Sequence, residues 1–248
     1  MTEMKLNGVT NRRLAMLVDG DNAQASLINE MLAEAAKFGL VSIRRVYGDW
    51  TTTALNSWKQ IMQEYAMQPI QQFQNTVGKN ATDSALIIDA MDILYSQNVD
   101  GFCLVSSDSD YTRLATRIRE TGAFVMGIGR RLTPKAFVNA CEVFVYTEIL
   151  SGTDAIKPTG LDEGEIIDEV EDPLPLLKQA YNMAVQEDGY AFMGALGLSL
   201  RQLDPGFDPR MYGHKQLSML VRSYPDEFDI REDKTPEGPI HMYVRLNE

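Results

Sequence analysis

Short apolar runs alternate with helical patterns over the first 147 residues, and this alternation constrains the fold more than any other feature. The run LAMLV at 14–18 is wholly apolar, as expected of a central strand that is buried on both faces of a parallel sheet. Consecutive parallel strands require crossover connections, and the helical patterns between the runs supply them. We therefore predict an α/β fold, a parallel-sheet sandwich with helices on both faces.

The predicted strands share a short length and an apolar or alternating composition, and turn residues flank them. They are LAMLV, LVSIRRVYG, PIQQFQN, GFCLVS, AFVMGIG and a last one within CEVFVY. The predicted helices show apolar residues at helical spacing. They are NAQASLINEMLAEAAKFG, TTALNSWKQIMQEYAM, DSALIIDAMDILYS, YTRLATRIRETG and a short one from PKAFVNA. We expect Pro69 to end the second helix.

The strand and helix pattern stops after residue 150. Residues 151–173 carry 8 acidic and 1 basic side chains, together with Pro and Gly, which favours a solvated linker. Residues 174–248 show three helical patterns and then FDIRED and PIHMYVRL on either side of KTPEG, which indicates a β-hairpin. The sequence thus predicts a larger domain over 12–150, an acidic linker over 151–173 and a small winged-helix domain over 174–248.

Acidic residues occur where predicted strands end or helices begin. Asp19 and Asp21 follow the first strand in LVDGDN, and Asp108 and Asp110 follow the apolar strand in CLVSSDSD. Asp83 begins the helix DSALIIDAMD. Because ligands of parallel sheets bind beyond the carboxyl ends of the strands, we expect these carboxylates to converge at one edge.

Converging carboxylates repel one another unless a cation is bound, and Mg²⁺ or Mn²⁺ accepts a shell of oxygen ligands. The sequence therefore predicts a metal-assisted phosphodiesterase, in which the metal activates water. This chemistry needs neither histidine nor cysteine. The two histidines, His214 and His241, lie in the second domain, and Cys103 and Cys141 lie in apolar runs, where we expect buried thiols.

Two further residues are candidates for support of the acidic site. Asn22 stands where it can cap the helix that follows the first strand. Asp89 is six residues after Asp83 on the same helix, which turns it about 120° away at 100° per residue, so at most it contacts the metal ligands and not the metal. Asp92 lies opposite Asp83 and is expected to face solvent.

The formal net charge of −12 argues against a polyanionic partner. However, residues 1–150 carry 14 basic and 16 acidic side chains, so bound cations would leave this domain net basic. Four side chains near the predicted acidic edge are candidates for contact with nucleic-acid phosphates. They are Lys79, Arg113, Arg130 and Arg131.

Other chemistries that use acidic or glycine-rich loops fit less well. GKNATD lacks the glycine and hydroxyl positions of a phosphate-binding loop, since Phe73 and Asn80 stand there. A haloacid-dehalogenase-like phosphatase could use VDGDN with Asp19 as nucleophile, but the sequence offers no convincing candidate for the helix lysine that this class has ahead of its last acidic pair. A non-catalytic RNA-binding or regulatory protein with the same fold stays open as an alternative.

No apolar run approaches the length of a membrane span, and the polar start MTEMKLNGVTNRR lacks a signal-peptide core. We therefore expect no membrane association and a cytoplasmic location.

Over residues 12–148, the motifs LVDGDN, GKNATDSALIIDAMD and CLVSSDSDYTRL resemble the NYN domains, a PIN-like nuclease superfamily that includes LabA-like bacterial proteins. The resemblance implies a PIN-like α/β fold and Mg²⁺- or Mn²⁺-dependent ribonuclease activity. It also implies that the acids of the site are Asp19, Asp83, Asp108 and Asp110. Asp21 and Asn22 match the polar residues after the first acid, and Ser107 matches the hydroxyl before the third.

The stretch PGFDPRMYGHKQLSMLV resembles an OST-HTH domain, also called LOTUS, a winged-helix module linked to RNA. In this stretch Phe207 and Tyr212 are expected to be packing residues. Lys215 and Arg222 lie on or near the helix that follows and are candidates for RNA contact. Because the module carries 8 basic and 11 acidic residues, docking of a protein partner is the alternative.

Overall fold

A computed structural model of the protein describes residues 12–73, 81–151, 171–233 and 240–247. The chain forms two compact units that divide between Ser151 and Gly152. In the part of the chain that the structure describes, no helix has the length and apolar character needed to cross a membrane. Both cysteines are buried free thiols, as predicted.

The first unit is built on a six-stranded sheet in which all neighbouring strands are parallel, in the order β3-β2-β1-β4-β5-β6. The strands are β1 (Arg13–Asp19), β2 (Leu40–Gly48), β3 (Gln68–Gln71), β4 (Gly101–Val105), β5 (Phe124–Gly129) and β6 (Val143–Tyr146). The centre is occupied by β1, which is buried from Leu14 to Asp19, and by the fully buried β4, as expected of apolar strands covered on both faces.

Helices cover both faces of this sheet, which confirms the predicted α/β sandwich. They are α1 (Ile28–Ala36), α2 (Asn56–Glu64), α3 (Ala81–Tyr95), α4 (Thr112–Glu120), α5 (Lys135–Ala140) and α6 (Thr147–Leu150). Alternate residues of β1 enter two separate cores. Met16 packs in a cluster with Met31 and Trp58 from α1 and α2, whereas Leu17 packs in a cluster with Leu86 and Ile118 from α3 and α4.

Two boundaries differ from the sequence prediction. The first helical segment starts with a 3-10 turn at Ala25–Leu27, not at Asn22. The second helix ends at Glu64, so the prediction that Pro69 ends it was wrong. Pro69 lies inside β3, and β3 is an edge strand, where a residue without an N–H group is tolerated.

In its described residues, the second unit combines three α-helices with a small antiparallel sheet of order β7-β9-β8. Its elements are α7 (Leu174–Ala184), β7 (Ala191–Phe192), α8 (Met193–Leu203), α9 (Leu217–Arg222), β8 (Phe228–Asp233) and β9 (His241–Leu246). Leu177, Leu196, Val221 and Val244 are buried in its core. The three helices and the terminal strand pair were predicted, but the two-residue strand β7 was not.

Candidate active site

The order of the sheet reverses between β1 and β4, which are neighbours in space although two strands separate them along the chain. Such a reversal opens a crevice beyond the carboxyl ends of the two strands, where α/β proteins bind ligands. Asp19 is the last residue of β1, and Ser106 follows the last residue of β4. The topology therefore places the two predicted acidic loops at one point.

Asp19 is a buried carboxylate, with 1% of its surface exposed. Its oxygens accept hydrogen bonds from Asn22 Nδ2 at 2.6 Å, Ser106 Oγ at 2.9 Å and the Asp21 amide at 3.2 Å. Burial raises the pKa of Asp19, and the charges of Asp83 and Asp21 add to this, although the hydrogen bonds from Asn22 and Ser106 oppose it. Asn22 therefore contacts the acid directly.

Asp83, Asp108 and Asp110 form a group that we call the acidic cluster. One carboxylate oxygen from each residue lies within 4.8 Å of those of the other two. Asp83 lies in the first turn of α3. Asp108 caps the 3-10 turn after β4 by accepting from the Asp110 amide at 2.9 Å, so this local turn brings both residues to the cluster.

The carboxylate of Asp83 is held by a neutral donor. The Tyr111 hydroxyl, which is in a 1% exposed side chain, donates to Asp83 Oδ1 at 2.7 Å. Burial raises the pKa of Asp83, and the charges of Asp108, Asp110 and Asp21 raise it further, whereas the Tyr111 hydrogen bond lowers it. The site thus keeps the carboxylate of Asp83 close to those of Asp108 and Asp110.

The acidic cluster fits a hard divalent cation. It offers oxygen ligands only, from three carboxylates, which is the set that Mg²⁺ and Mn²⁺ accept. Within the described residues, neither Asp83 nor Asp108 forms a salt bridge. Asp19 lies outside this group of three, but it is close enough to Asp83 that the charge of Asp83 raises the pKa of Asp19.

Asp21 connects the first acidic loop to the helix that carries Asp83. Its Oδ2 accepts from Thr82 Oγ1 at 3.2 Å. Thr82 is buried, whereas Asp21 is exposed. This contact ties the β1 loop to the first turn of α3.

Ser107 supports the site from the other side. Its Oγ accepts from the Arg130 amide at 2.8 Å, which joins the loop after β4 to the end of β5. A Cβ atom at Gly129 would lie 2.5 Å from the Ser106 carbonyl oxygen, so only glycine allows this approach of the two strand ends. Asn22, Ser106, Ser107 and Arg130 line one shallow depression there.

Asp89 is not brought to the acidic cluster. Its carboxylate accepts from Arg45 Nη1 and from the Tyr47 hydroxyl, both on β2. Burial raises the pKa of Tyr47, and the hydrogen bond to Asp89 adds to this. Asp89 therefore joins α3 to β2 and does not contact the acids that it was expected to support.

The basic candidates have different surroundings. Lys79 lies outside the described residues. Arg113 on α4 and Arg130 after β5 are exposed, and the Arg131 amide donates to Glu148 Oε1 at 2.9 Å.

Of the two candidates in the second unit, Lys215 is exposed just before α9. Arg222, at the end of α9, pairs with Glu232 of β8 at 2.5 Å. The helix-borne arginine expected to contact RNA is therefore engaged within its own domain.

Three residues of the site were missed by sequence reasoning: Thr82, Ser106 and Tyr111. Ser106 is the first polar residue after GFCLV, and its position at a strand end was a usable signal. Tyr111 stands at the start of an amphipathic helix, where it has the appearance of an ordinary core residue. Its hydroxyl contact with Asp83 spans 28 positions of the chain and has no local signature.

Two solved structures are similar to part of this chain. A crystal structure of a protein of unknown function from Vibrio parahaemolyticus RIMD 2210633 is 21% identical, with a TM-score of 0.47 over 58% of this chain and 96% of that one. A solution structure of an uncharacterized protein from Nitrosomonas europaea is 27% identical, with a TM-score of 0.28 over 36% and 90% of the two chains. Curated proteins give no match.

Two family models match this chain. Residues 13–150 match the NYN domain, which is part of the PIN-like nuclease superfamily. Residues 168–240 match the OST-HTH/LOTUS domain, and such domains are RNA-binding. The parallel sheet, its acidic edge and these matches agree, and the chain belongs to the NYN domain family, with an OST-HTH/LOTUS domain following the NYN domain.

Proposed function

We propose that the protein is a metal-dependent RNA endonuclease that hydrolyses phosphodiester bonds with Mg²⁺ or Mn²⁺. The observation that carries the proposal is the acidic cluster, three carboxylates within 4.8 Å of one another beside the buried Asp19. A fold that concentrates negative charge in this way loses stability unless a cation binds, so a metal-binding role explains why the carboxylates are kept.

Asp83, Asp108 and Asp110 would hold the metal. When bound, the cation lowers the pKa of a coordinated water and stabilises negative charge on the departing oxygen. Asp19 is the fourth acid of the site, and Ser106 Oγ and Asn22 Nδ2 fix the orientation of its carboxylate.

The other residues position the acids and the RNA. Tyr111 holds Asp83 through its hydroxyl, and Thr82 holds Asp21 in the same way. The exposed Arg113 and Arg130 supply contacts to RNA phosphates without reading sequence. We propose that residues 151–173 tether this nuclease domain to an RNA-binding or partner-binding domain over 174–248.

A cleavage assay on mixed single-stranded RNA with Mn²⁺ or Mg²⁺ tests the proposal. Asp83→Asn and Asp108→Asn should each lower the rate by about 100-fold or more, because a metal site of this kind contributes several kcal/mol to transition-state stabilisation. Asp92→Asn is the matched control, since Asp92 is an exposed aspartate of the same helix.

Circular dichroism would confirm that each variant folds. Cleavage that persists in EDTA, or that is unchanged in the Asp83→Asn and Asp108→Asn variants, contradicts the proposal. If the natural chain binds RNA but does not cleave it with either metal, the non-catalytic RNA-binding alternative is the better description.

A further inference from the structure

The small sheet of the second unit has an outer surface that plays no part in the core. Its inner side contributes Ala191, Val244 and Phe228, which are buried. Because side chains alternate along a strand, the residues between them point to the opposite side. In the register of the sheet, Phe192, Tyr243 and Arg231 form one row across the three strands on that side.

Planar side chains lie against one another over this surface. Arg231 Cζ is 4.3 Å from the ring centroid of Tyr190 and 5.0 Å from that of Tyr243. The Phe192 ring lies 5.8 Å from Tyr243 and 5.9 Å from His241. With Arg245, whose Cζ is 5.2 Å from the Tyr190 ring, these residues form what we call the aromatic–arginine face. It comprises Tyr190, Phe192, Arg231, His241, Tyr243 and Arg245.

The charges on this face are balanced. Arg231 pairs with Asp233 at 3.3 Å, and Arg245 pairs with Asp229 at 3.7 Å. All four side chains are at least 42% exposed, and exposed ion pairs of this length contribute little to stability. The two guanidinium groups therefore add planar surface to the face, but the four charges give it no net attraction for phosphate.

This composition fits nucleobases. Aromatic rings and guanidinium planes stack on the faces of unpaired bases, whereas the bases of a duplex are already stacked on each other. Phe192 is 37% exposed, and Tyr243 and Tyr190 are partly exposed, so ring surface is accessible to a ligand.

We propose that the aromatic–arginine face binds single-stranded RNA by stacking of its bases. This inference rests on the proposed function, in which RNA is the substrate, and it assigns RNA capture to the sheet of the second unit. In this proposal the main contacts come from the face and not from Lys215 and Arg222 of the helix region, because stacking needs several planar groups close together, as on the face.

The test uses the full chain with single-stranded RNA oligonucleotides that contain 2-aminopurine, in EDTA, so that metal-dependent cleavage does not occur. Binding is followed by fluorescence anisotropy and by the change in 2-aminopurine emission that accompanies stacking. Tyr243→Ala should weaken binding by about tenfold or more. Arg231→Lys keeps the charge but removes the plane, and it should also weaken binding.

Two matched controls separate stacking from general surface effects. Arg222→Lys changes an arginine outside the face, and Tyr95→Ala removes a tyrosine of the first unit that is 70% exposed. Both variants should bind as the natural chain does. Because few phosphates are neutralised, affinity should fall by less than about tenfold between 50 and 200 mM salt.

The inference would be overturned if the folded Tyr243→Ala and Arg231→Lys variants bound RNA as the natural chain does. Tighter binding of duplex RNA than of single-stranded RNA would also overturn it. So would no binding of single-stranded RNA, and the face would then be left to a protein partner. A loss of about 10³-fold over the same salt range would also overturn it. The proposed nuclease function is tested separately, by metal-dependent cleavage and its loss in Asp83→Asn. If the face variants bind RNA as the natural chain does, while Asp83→Asn loses cleavage, only the stacking inference is overturned. If the face variants bind RNA more weakly, while the natural chain does not cleave RNA, only the nuclease proposal is overturned.

Discussion

Two of the three carboxylates of helix α3, Asp83 and Asp89, lie in opposite electrostatic surroundings. Asp89, in the middle of the helix, accepts hydrogen bonds from Arg45 and Tyr47 of β2. Asp83, in the first turn, lies beside Asp108 and Asp110 and has only the neutral Tyr111 hydroxyl as a hydrogen-bond partner within the described residues. The comparison separates a carboxylate that stabilises the fold from one that the fold must tolerate.

The surroundings of Asp89 explain how the site is held in place. Burial lowers the pKa of Arg45, but the hydrogen bond and charge of Asp89 outweigh this and raise it. The pair joins α3 to the sheet at β2, and α3 in turn presents Asp83 at its amino-terminal end, where the helix dipole favours a negative charge. Asp89, whose charge is compensated by Arg45, thus helps to position Asp83, which has no such cationic partner among the described residues.

The largest stability effect is expected from removal of the compensated acid. Asp89→Ala leaves the partly buried Arg45 without its anion, and the buried Arg45 Nε already lacks a hydrogen-bond partner among the described residues. We expect a loss of about 3 kcal/mol in the free energy of unfolding, measured by urea denaturation. The exposed Asp92→Ala on the same helix should change stability by less than about 0.5 kcal/mol. Equal effects of the two substitutions would show that the pair has no structural role.

Divalent cations should act on the other end of the helix. At a concentration about thirtyfold above the dissociation constant, Mg²⁺ or Mn²⁺ should stabilise the natural chain by about 2 kcal/mol, because only the folded state brings the acidic cluster together. Asp108→Asn should lose most of this gain, and Asp89→Asn should keep it. Thermal unfolding with and without the metal measures both. Equal stabilisation of the two variants would place the cation elsewhere.

Tyr47 and Tyr111 allow a matched test of the difference between Asp89 and Asp83. Tyr47→Phe and Tyr111→Phe each remove one hydroxyl that donates to a carboxylate of α3, and each should cost about 1 kcal/mol of stability. Only Tyr111→Phe should also alter metal affinity and cleavage, because it frees Asp83 and removes a hydrogen bond that lowers the pKa of Asp83. Parallel titrations of both variants with Mn²⁺ check this, and an equal change in metal affinity would contradict it.

The strands of the sheet and the acids at its edge could be predicted from the sequence, because both leave local signals in it. The bounds 40–48 and 228–233 agree with the observed strands β2 and β8, and Asp108 and Asp110 were predicted from the apolar strand that precedes them. Contacts between distant elements left no such signal. Helical geometry correctly predicts that Asp89 points away from Asp83. The ion pair of Asp89 with Arg45 could not be predicted, because it depends on how β2 packs against α3.

The second unit shows the same limit. Its helices and hairpin follow from periodicity, but β7 is only two residues long and is defined by pairing with β9. Without β7, the row of Phe192, Tyr243 and Arg231 does not exist as a surface. The sequence therefore predicts RNA contacts at Lys215 and Arg222, whose charge it shows, and not at planar groups that come together only in the folded sheet.

The smallest expected effect is a gain in stability, whereas Asp89→Ala is expected to lose stability. In the absence of metal at pH 7, Asp83→Asn should raise the free energy of unfolding by about 0.5–1 kcal/mol, because the amide removes a charge from the acidic cluster and can still accept from Tyr111. The pH dependence follows from the raised pKa of Asp83. The folded state holds this proton more tightly than the unfolded state, so its contribution to stability grows as the pH falls from 7 through the raised pKa.

Asp83→Asn should lack this increment, so the stabilities of the variant and the natural metal-free chain should converge as the pH falls from 7 towards the raised pKa. Urea denaturation at several pH values measures the difference, and Asp92→Asn is the control. A variant that is less stable than the natural chain at pH 7 would contradict the idea that Asp83 is uncompensated. If the substitution that abolishes cleavage also stabilises the metal-free fold, stability cannot explain the presence of this carboxylate, and its reason lies in the chemistry of the site.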